Sequence, residues 1–568
     1  RLLNTARQDN FGGTGIFTTL DDEERLSRSL GHRFGMLLRH RPDSAQRMSL
    51  RLDGGFSDAF LQTRSSTRSL NSESVLQNAN LRQYRLDGRA FNLRSAFSWQ
   101  HRFRRSGRSL STSANARWAE RPEQGALGAE NRFTVDPTLS DTVRQRQQAG
   151  ETTRQYGLTV LYTEPLGRRQ YLKLEAMQQW ENGARRKDFF DQASGQEVYN
   201  PLLSRAFSRD FELSRAGLAY LRNRKKYTLT AALNYQQSRL HGQMEGLAPL
   251  SWQFRRWLPA LFWDYEFKTA HRMEAAYTTR LREPALEELQ PLPDNSDPLN
   301  VYIGNPALRP EYVHEWRANY FRYDAFSFMS LFANLTASYT QDKIAQSGSV
   351  NALLQRSTTP LNVDHEWRLR GSVQFGAPLR PLPLSTNIRL NSTLTQGPLF
   401  FNGHPNAVTR QRHGVGISLE NRKKSVVDAL AGLRCAFNTT HWSEDRSLDR
   451  RFTDWEYYAE VSLTPTSKWL IDTKLEYLIY SAAAFGQRRQ IPLWQLGVTR
   501  YCLKGERGRI RLEAVNLLDQ HLGVLRQSDF NYVRQQNTNA LGRYLLLSFG
   551  YSLSGFRKDG ALEIKMGG

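Results

Sequence analysis

The feature that most constrains this chain is an alternation of apolar and polar residues that recurs along nearly its whole length. In residues 471–477, for example, apolar Ile, Leu and Tyr side chains alternate with Asp472, Lys474 and Glu476. A period of two places successive side chains on opposite faces of a β-strand. Counting such runs predicts about 21 strands, with no helical periodicity between them.

The connections between the predicted strands differ at the two ends. Short turns such as Pro42-Asp43-Ser44, and the repeated Asn-Arg-Lys-Lys at residues 223–226 and 421–424, join the strands of each hairpin. Successive hairpins are joined by longer polar segments, which we expect to be loops, at residues 58–88, 119–153, 181–208 and 341–361. Short turns at one end and long loops at the other are typical of outer-membrane barrels.

Hydropathy and strand length together favour a membrane barrel over a soluble one. Mean hydropathy is −0.62, and no run approaches the roughly 18 apolar residues of a membrane helix. The predicted strands reach about 10 residues, which is enough to cross a bilayer when tilted. Charged residues on the second face would be costly in a soluble core but are tolerated in a wet lumen.

The predicted fold class is therefore all-β, a large antiparallel transmembrane β-barrel of about 21–22 strands with short periplasmic turns and long extracellular loops. The alternation also predicts which side chains face lipid and which face the lumen. The lipid set is Leu229, Ala231, Leu233, Leu545, Leu547 and Phe549, and the lumen set is Thr228, Thr230, Asn234, Ser548 and Gly550.

Charge and motif content argue against several function classes. The net charge is +23, but the arginines are spread along the chain without a basic block, so we expect no nucleic-acid interface. Cys435 and Cys502 lie far apart on different predicted strands and imply no disulfide framework. The sequence has none of the phosphate-binding, nucleophile or metal motifs of enzymes, so we expect a non-enzyme without cofactor or metal.

One stretch, residues 280–320, stands apart from the alternating pattern. Prolines at positions 284, 291, 293, 298, 306 and 310 exclude a helix or a central strand there. We expect residues 283–311 to form a stiff extracellular loop over the barrel mouth, better ordered than residues 58–88 and 119–153. Arg282, Tyr302 and Arg309 are its candidate ligand-binding residues. The alternative is a loop that braces the rim, with Glu311 paired to a neighbouring arginine.

Three sets of residues carry a resemblance to a known family. The first is Arg282-Glu283-Pro284 followed by Gly304-Asn305-Pro306-x-Leu308-x-Pro310-Glu311, the second is residues 103–110, and the third is residues 513–520 with 541–545. These stretches follow one another in the same order as in TonB-dependent outer-membrane receptors, and the chain resembles that family, especially the outer-membrane β-barrel family of Bacteroidetes-type bacteria. The resemblance implies location in the outer membrane, contact with its lipid and lipopolysaccharide, and import of a scarce bulky ligand such as a siderophore, vitamin, oligosaccharide or peptide.

The same resemblance guides the expected domain organisation. We expect residues 1–29 to be a loop segment of a truncated barrel, residues 30–556 the barrel and residues 557–568 a polar tail. The run at Phe34 would be the second strand, so the first strand, and the plug through which the TonB system acts, would lie upstream. A passive channel, a secretion or assembly barrel, and a surface-binding or adhesion protein remain alternatives.

Overall fold

The alternating runs form the strands of one continuous sheet in the computed structural model of the protein. The structure describes residues 2–12, 15–193, 195–246, 248–291, 300–351, 354–443, 446, 449–481, 489–520, 522–528, 532–539 and 542–552. Over these residues the sheet has 26 strands, and the predicted all-β barrel is confirmed. Among them, no helix has both the length and the apolar character needed to span a membrane.

The strands and the one short α-helix have the following bounds: β1 Leu2–Gly12, β2 Gly15–His40, β3 Gln46–Leu70, β4 Leu76–Arg102, β5 Ser109–Phe133, β6 Asp141–Gly167, β7 Gln170–Ala193, β8 Gln196–Tyr199, β9 Arg205–Asn223, β10 Tyr227–Met244, β11 Leu250–Lys268, β12 His271–Arg282, α1 Leu286–Leu289, β13 Asn300–Tyr302, β14 Glu311–Asp324, β15 Met329–Val350, β16 Arg356–Leu379, β17 Leu384–Phe401, β18 His404–Asn421, β19 Val427–Trp442, β20 Arg450–Thr466, β21 Trp469–Tyr480, β22 Arg489–Cys502, β23 Gly508–Val515, β24 Leu522–Ser528, β25 Tyr532–Asn539 and β26 Tyr544–Tyr551.

An antiparallel ladder of 21 strands runs from β2 to β26 and forms the barrel wall. Each strand pairs with its predecessor, except that β7 pairs with β9, β12 with β14, and β23 with β26. The remaining strands, β1, β8, β13, β24 and β25, lie at the end with the long connections. Hydrogen bonds between neighbouring strands satisfy the backbone N–H and C=O groups of the sheet. In lipid this pairing is required, because no water is present to satisfy those groups.

The register gives the wall an apolar outer face. Leu547 pairs with Leu512, and Leu512 pairs with Val498, so apolar side chains line up across neighbouring strands. Leu545 and Leu547 are 70% and 71% exposed on this face, as the alternation predicts for lipid-facing residues. The opposite face carries ion pairs such as Arg511 with Asp472, whose Nη1 and Oδ1 lie 2.6 Å apart. This polar face lines the lumen.

Aromatic rings form belts at both ends of the apolar face. Near the long connections, Trp316 stacks with Tyr277 and Trp367 at centroid distances of 5.4 and 6.2 Å. Near the short turns, Tyr265 packs against Trp263 and Phe267 at 5.6 and 4.7 Å. Amphipathic rings prefer the headgroup level of a bilayer, so the two belts mark the two membrane surfaces.

The long polar segments that we expected to be loops are largely strand. Residues 58–70 and 76–88 pair with each other as outward continuations of β3 and β4, and residues 119–133 and 141–153 do the same in β5 and β6. The prediction was wrong because water wets both faces of a hairpin above the membrane. Polar residues there carry no apolar stripe, yet the backbone ladder continues.

The N-terminal segment was also predicted wrongly as a loop. β1 and the first half of β2 form a hairpin with Gly12 opposite Gly15, and β1 pairs on its other edge with β25. Residues 26–40 of β2 pair with β3, and β26 pairs with β23; no described residue pairs with the second edge of either segment. β1 is thus an additional strand, which contradicts the expectation that the first strand would lie upstream, although residues 26–40 of β2 and β26 are not paired with each other. The expected tail at residues 557–568 lies outside the described residues.

The two faces of β17 give a direct test of the membrane register. Leu390 lies in mid-strand on the apolar face, and Asn391 follows it on the lumen face. We expect Leu390→Arg to lower the free energy of unfolding by roughly 2–4 kcal/mol, because a cation is costly at the bilayer midplane. Asn391→Arg, the matched control, should change it by less than about 1 kcal/mol. Denaturant unfolding in lipid vesicles measures both, and equal losses would contradict the assigned faces.

At the short-turn end, one carboxylate joins two neighbouring turns. Glu164 accepts hydrogen bonds from Arg105 Nη1 at 2.7 Å, from Arg108 Nε at 2.8 Å and from the Tyr162 hydroxyl at 2.5 Å. The hydrogen bonds from Arg108 and Tyr162 lower the pKa of the Glu164 carboxyl to about 2. Part of the motif at residues 103–110 is thus a clamp between the β4–β5 turn and the end of β6.

The lowered pKa of Glu164 predicts a pH dependence with a defined sign. A carboxyl whose pKa is lower in the folded state stabilises the fold above its ordinary pKa, and this stabilisation is lost as the pH falls toward the folded-state pKa. We expect the melting-temperature difference between the protein and Glu164→Gln to be constant near neutral pH and to shrink between about pH 4.5 and pH 2. A difference that does not change with pH would show that the charge of Glu164 has no part in the clamp.

Candidate functional site

The proline-rich stretch forms a strap across the mouth of the barrel. We define the mouth strap as residues 283–291 and 300–310, which include α1 and β13. It starts at the end of β12, reaches the inner face of β9 and β10, and returns to β16, where β13 pairs in parallel with residues 356–358. The part of the expected loop between these two segments lies outside the described residues, so its relative order remains a prediction.

Glu311 anchors the strap where it ends at β14. Its carboxylate is buried and accepts hydrogen bonds at Oε1 from Arg282 Nη1 at 2.7 Å, Lys343 Nζ at 2.8 Å and the Ile344 backbone N–H at 2.9 Å. Arg282 also donates through Nη2 to Glu288 of α1 at 2.9 Å. Two cations around one buried carboxylate hold both ends of the strap and its helix to the wall.

Glu283 holds the first residues of the strap to the lumen face of β10. The Ser238 hydroxyl and the Gln236 amide donate to Glu283 Oε1 at 3.1 and 3.3 Å. Burial raises the pKa of the Glu283 carboxyl, and the hydrogen bond from Ser238 and the charge of Arg209 oppose this effect. Since the folded-state pKa is raised, this attachment is stronger when Glu283 is protonated and weakens as the pH rises.

The Gly-Asn-Pro part of the strap is shaped by backbone packing. A Cβ atom on Gly304 would lie 2.4 Å from the Gln290 carbonyl oxygen, so no larger residue fits without a shift. Asn305 accepts a hydrogen bond at Oδ1 from the Ala307 N–H at 2.9 Å and donates through Nδ2 to the Pro360 carbonyl at 3.1 Å. Pro284 and Pro310 are buried, whereas Pro306 is exposed. These contacts give the family-like motif a structural role.

An apolar cluster lies between the strap and the inner wall. Leu289 and Leu308 of the strap are 0% and 2% exposed. They pack against wall residues that belong to β9, β10 and β15, namely Phe211, Leu213, Leu240 and Ile344. Burial of apolar side chains stabilises the strap in addition to its ion pairs.

The three residues that we predicted to bind ligand are all drawn into the strap. Arg282 is ion-paired as described, and Arg309 Nη2 lies 2.8 Å from Asp342 Oδ1. Tyr302 lies in β13 and is half-buried, and burial next to Glu288 raises the pKa of its phenol. These partners match the alternative in which the segment braces the rim. Ligand binding by the three residues remains a prediction.

A polar cavity of about 580 Å³ lies at the mouth, where two opposite parts of the wall approach each other. One side is formed by β1 to β4 and β25, and the other by Leu354 and Arg356 at the tip of the β15–β16 hairpin. The charged and amide side chains in its lining are Asn4, Gln8, Asn10, Asp21, Glu23, Arg25, Asn80, Arg82, Arg356, Arg534 and Gln536.

The lining is cross-linked by hydrogen bonds that fix the side chains. The Thr67 hydroxyl donates to Asp21 at 2.9 Å, the Asn4 amide donates to Glu23 at 3.2 Å, and Arg534 lies 3.7 Å from Asp21. Carboxylates, guanidinium groups and amides together match a ligand that both donates and accepts hydrogen bonds. Among the residues that the structure describes, no group of His, Cys, Asp or Glu side chains is placed to hold a metal ion.

Sequence reasoning missed both the apolar cluster and the cavity. A signal for the cluster was present in β10, where the apolar positions change phase from Leu229, Ala231 and Leu233 to Leu240 and Met244. The change places apolar side chains on the lumen face, where the strap covers them. The cavity had no comparable signal, because it joins residues that are more than 500 positions apart, such as Asn4 and Gln536.

A model of the outer membrane protein β-barrel family matches residues 101–551, which is most of the chain. The chain belongs to this family. Its place is the outer membrane, as the sequence predicted. No curated protein sequence matches the chain.

Solved structures with a similar course of the chain are outer-membrane receptors and transporters. The transporter YddB of Escherichia coli is 9% identical with a TM-score of 0.43, and the match covers 97% of this chain and 80% of that one. The ferric citrate transporter FecA is 10% identical with a TM-score of 0.43, covering 96% and 78%. The siderophore receptor PirA of Pseudomonas aeruginosa is 11% identical with a TM-score of 0.37, covering 95% and 80%.

The anchoring role of Glu311 can be tested by weakening it. Glu311→Gln leaves Arg282 and Lys343 without their buried counter-charge, and we expect it to favour strap opening by on the order of 3 kcal/mol. Glu283→Gln is the matched control. The glutamine side chain resembles the protonated form of Glu283, which burial favours. Glu283→Gln should therefore change the free energy of strap opening by less than about 1 kcal/mol. Hydrogen–deuterium exchange of strap amides measures both. Equal exchange in the two variants would rule out Glu311 as the anchor.

Proposed function

We propose that this chain is the barrel of a TonB-dependent receptor that imports a scarce, bulky ligand through the outer membrane. The observation that carries the proposal is the mouth: a strap fixed to the lumen face lies beside a fixed polar cavity that joins opposite walls. A barrel of 21 strands encloses a lumen wide enough to require closure by a plug. Such a lumen and a preorganised binding site at its entrance fit a gated importer.

The cavity favours a polar ligand with several hydrogen-bonding groups. Its volume of about 580 Å³ lies within the range of small-molecule sites. The lining combines two carboxylates, Asp21 and Glu23, with four guanidinium groups and several amides, which favours a ligand that carries both hydrogen-bond donors and acceptors. Oligosaccharides and peptides carry such groups, and the excess of guanidinium groups over carboxylates also accommodates a ligand with carboxylates. The role proposed for this chain is transport, without catalysis.

Uptake by cells tests the proposed function. We expect a strain that lacks the protein to lose uptake of one class among labelled oligosaccharides, peptides, cobalamin and iron chelates. A strain without functional TonB should lose the same uptake. The purified natural protein should also be non-conducting in a planar bilayer. Open conductance together with TonB-independent uptake would instead identify a passive channel.

The cavity itself can be tested once such uptake is measured. Asp21→Asn with Arg534→Gln removes the paired charges from the lining, and we expect at least a ten-fold loss of apparent affinity, since a hydrogen bond to a charged group is worth about 1.5–3 kcal/mol. Arg144→Gln, which alters an exposed side chain outside the cavity lining, should leave affinity unchanged. An unchanged affinity in the double variant would place the ligand elsewhere.

A further inference from the structure

The two ends of the barrel carry opposite charge in their connections. Ten short turns join strands at one end, namely residues 41–45, 103–108, 168–169, 224–226, 269–270, 325–328, 380–383, 422–426, 467–468 and 503–507. By sequence these turns contain 16 lysines and arginines but two acidic residues, Asp43 and Glu506. Within the part of the chain that the structure describes, the connections at the other end contain three arginines and eight acidic residues. The net charge of +23 does not explain why basic residues concentrate in the short turns and acidic residues in the other connections.

We call the basic residues of the short turns the turn ring. Its members are Arg41, Arg104, Arg105, Arg108, Arg168, Arg169, Arg224, Lys225, Lys226, Arg380, Arg422, Lys423, Lys424, Lys468, Lys504 and Arg507. All are exposed except Arg108, which is half-buried. Arg105 and Arg108 are paired with Glu164, and Lys424 is paired with Glu420 and Asp428. The other 13 form no ion pair with a described residue.

The turn ring lies at a defined depth. Turns of two to six residues hold their side chains close to the strand ends, directly beyond the aromatic belt of Trp263, Tyr265 and Phe267. The guanidinium group of Arg500 lies 5.3 Å from the centre of the Trp469 ring, so cations and belt aromatics are in contact there. Since such belts mark the headgroup level, the ring faces the phosphates of the adjacent leaflet.

We propose that the turn ring binds anionic phospholipid headgroups of the periplasmic leaflet and fixes the depth of the barrel in the membrane. Short turns face the periplasm in outer-membrane barrels, so this leaflet is the one that the ring meets. Eight of the ten turns carry at least one basic residue, which distributes the charge around the circumference. A surrounding annulus of lipid contacts all of them at once, whereas a soluble acidic partner would contact one side. Lysine and arginine near a membrane surface are each attracted to anionic lipid.

The experiment removes ring charge and measures lipid preference. The protein, purified from outer membranes, is placed in vesicles containing brominated phosphatidylglycerol or brominated phosphatidylcholine, and quenching of tryptophan fluorescence gives the relative association constant. The ring variant replaces by glutamine five residues of the two Asn-Arg-Lys-Lys turns: Arg224, Lys225, Lys226, Arg422 and Lys423. The matched control replaces five exposed arginines outside the short turns: Arg28, Arg121, Arg144, Arg255 and Arg256.

We expect the protein and the control to prefer phosphatidylglycerol, and the ring variant to lose that preference several-fold. Salt at 1 M should abolish the preference by screening, since the screening length falls to about 3 Å. Lys225→Arg with Lys226→Arg keeps the charge and should keep the preference. The proposal is overturned if the ring variant retains the full preference. It is also overturned if the unmodified protein shows none, which would leave an acidic periplasmic protein as the partner of the ring.

Discussion

The requirement that every backbone amide and carbonyl in the membrane find a partner governs the rest of this structure. In hydrocarbon no water replaces a missing hydrogen bond, so the chain pairs strand with strand along the 21-strand wall, and within the described residues the facing edges of residues 26–40 and of β26 are where this pairing stops. That wall leaves one face for lipid and one for the lumen. The apolar belts, the aromatic rings and the polar inner face follow from the alternation that the ladder imposes on the side chains.

The mouth shows how the inner face is used where the wall rises above the membrane. Lumen-facing positions there change from water-exposed charges to Phe211, Leu213 and Leu240, and these apolar residues receive the strap. The strap is then fixed at its ends by Glu311, which is buried between Arg282 and Lys343. The prolines reduce the conformational freedom that is lost on ordering, and the apolar contacts and ion pairs supply the attachment. The result is a rigid border beside the polar cavity.

Much of the fold follows from the sequence, because a period of two is both the structural rule of a strand and a visible pattern. Leu545 and Leu547 were assigned to the outer face on that rule alone. The period of two is lost where both faces of a strand contact water, because polar residues then occupy both faces. For this reason the sequence predicts loops for β1 and for the outward parts of β3 to β6. The rule also fails for contacts between residues that are far apart in the sequence, such as Glu311 with Lys343. The change of apolar phase in β10 is visible in the sequence. The sequence does not show, however, that the strap covers the apolar side chains on the lumen face.

The central claim is that the strap packs against the lumen face of β10, and a pair of engineered cysteines tests it most directly. In a background with Cys435→Ser and Cys502→Ser, Leu240→Cys should form a disulfide with Leu289→Cys in intact cells, because both side chains belong to one buried cluster. Leu233→Cys, on the opposite face of the same strand, should not cross-link to Leu289→Cys. Absence of the first disulfide, or formation of the second, would contradict the account.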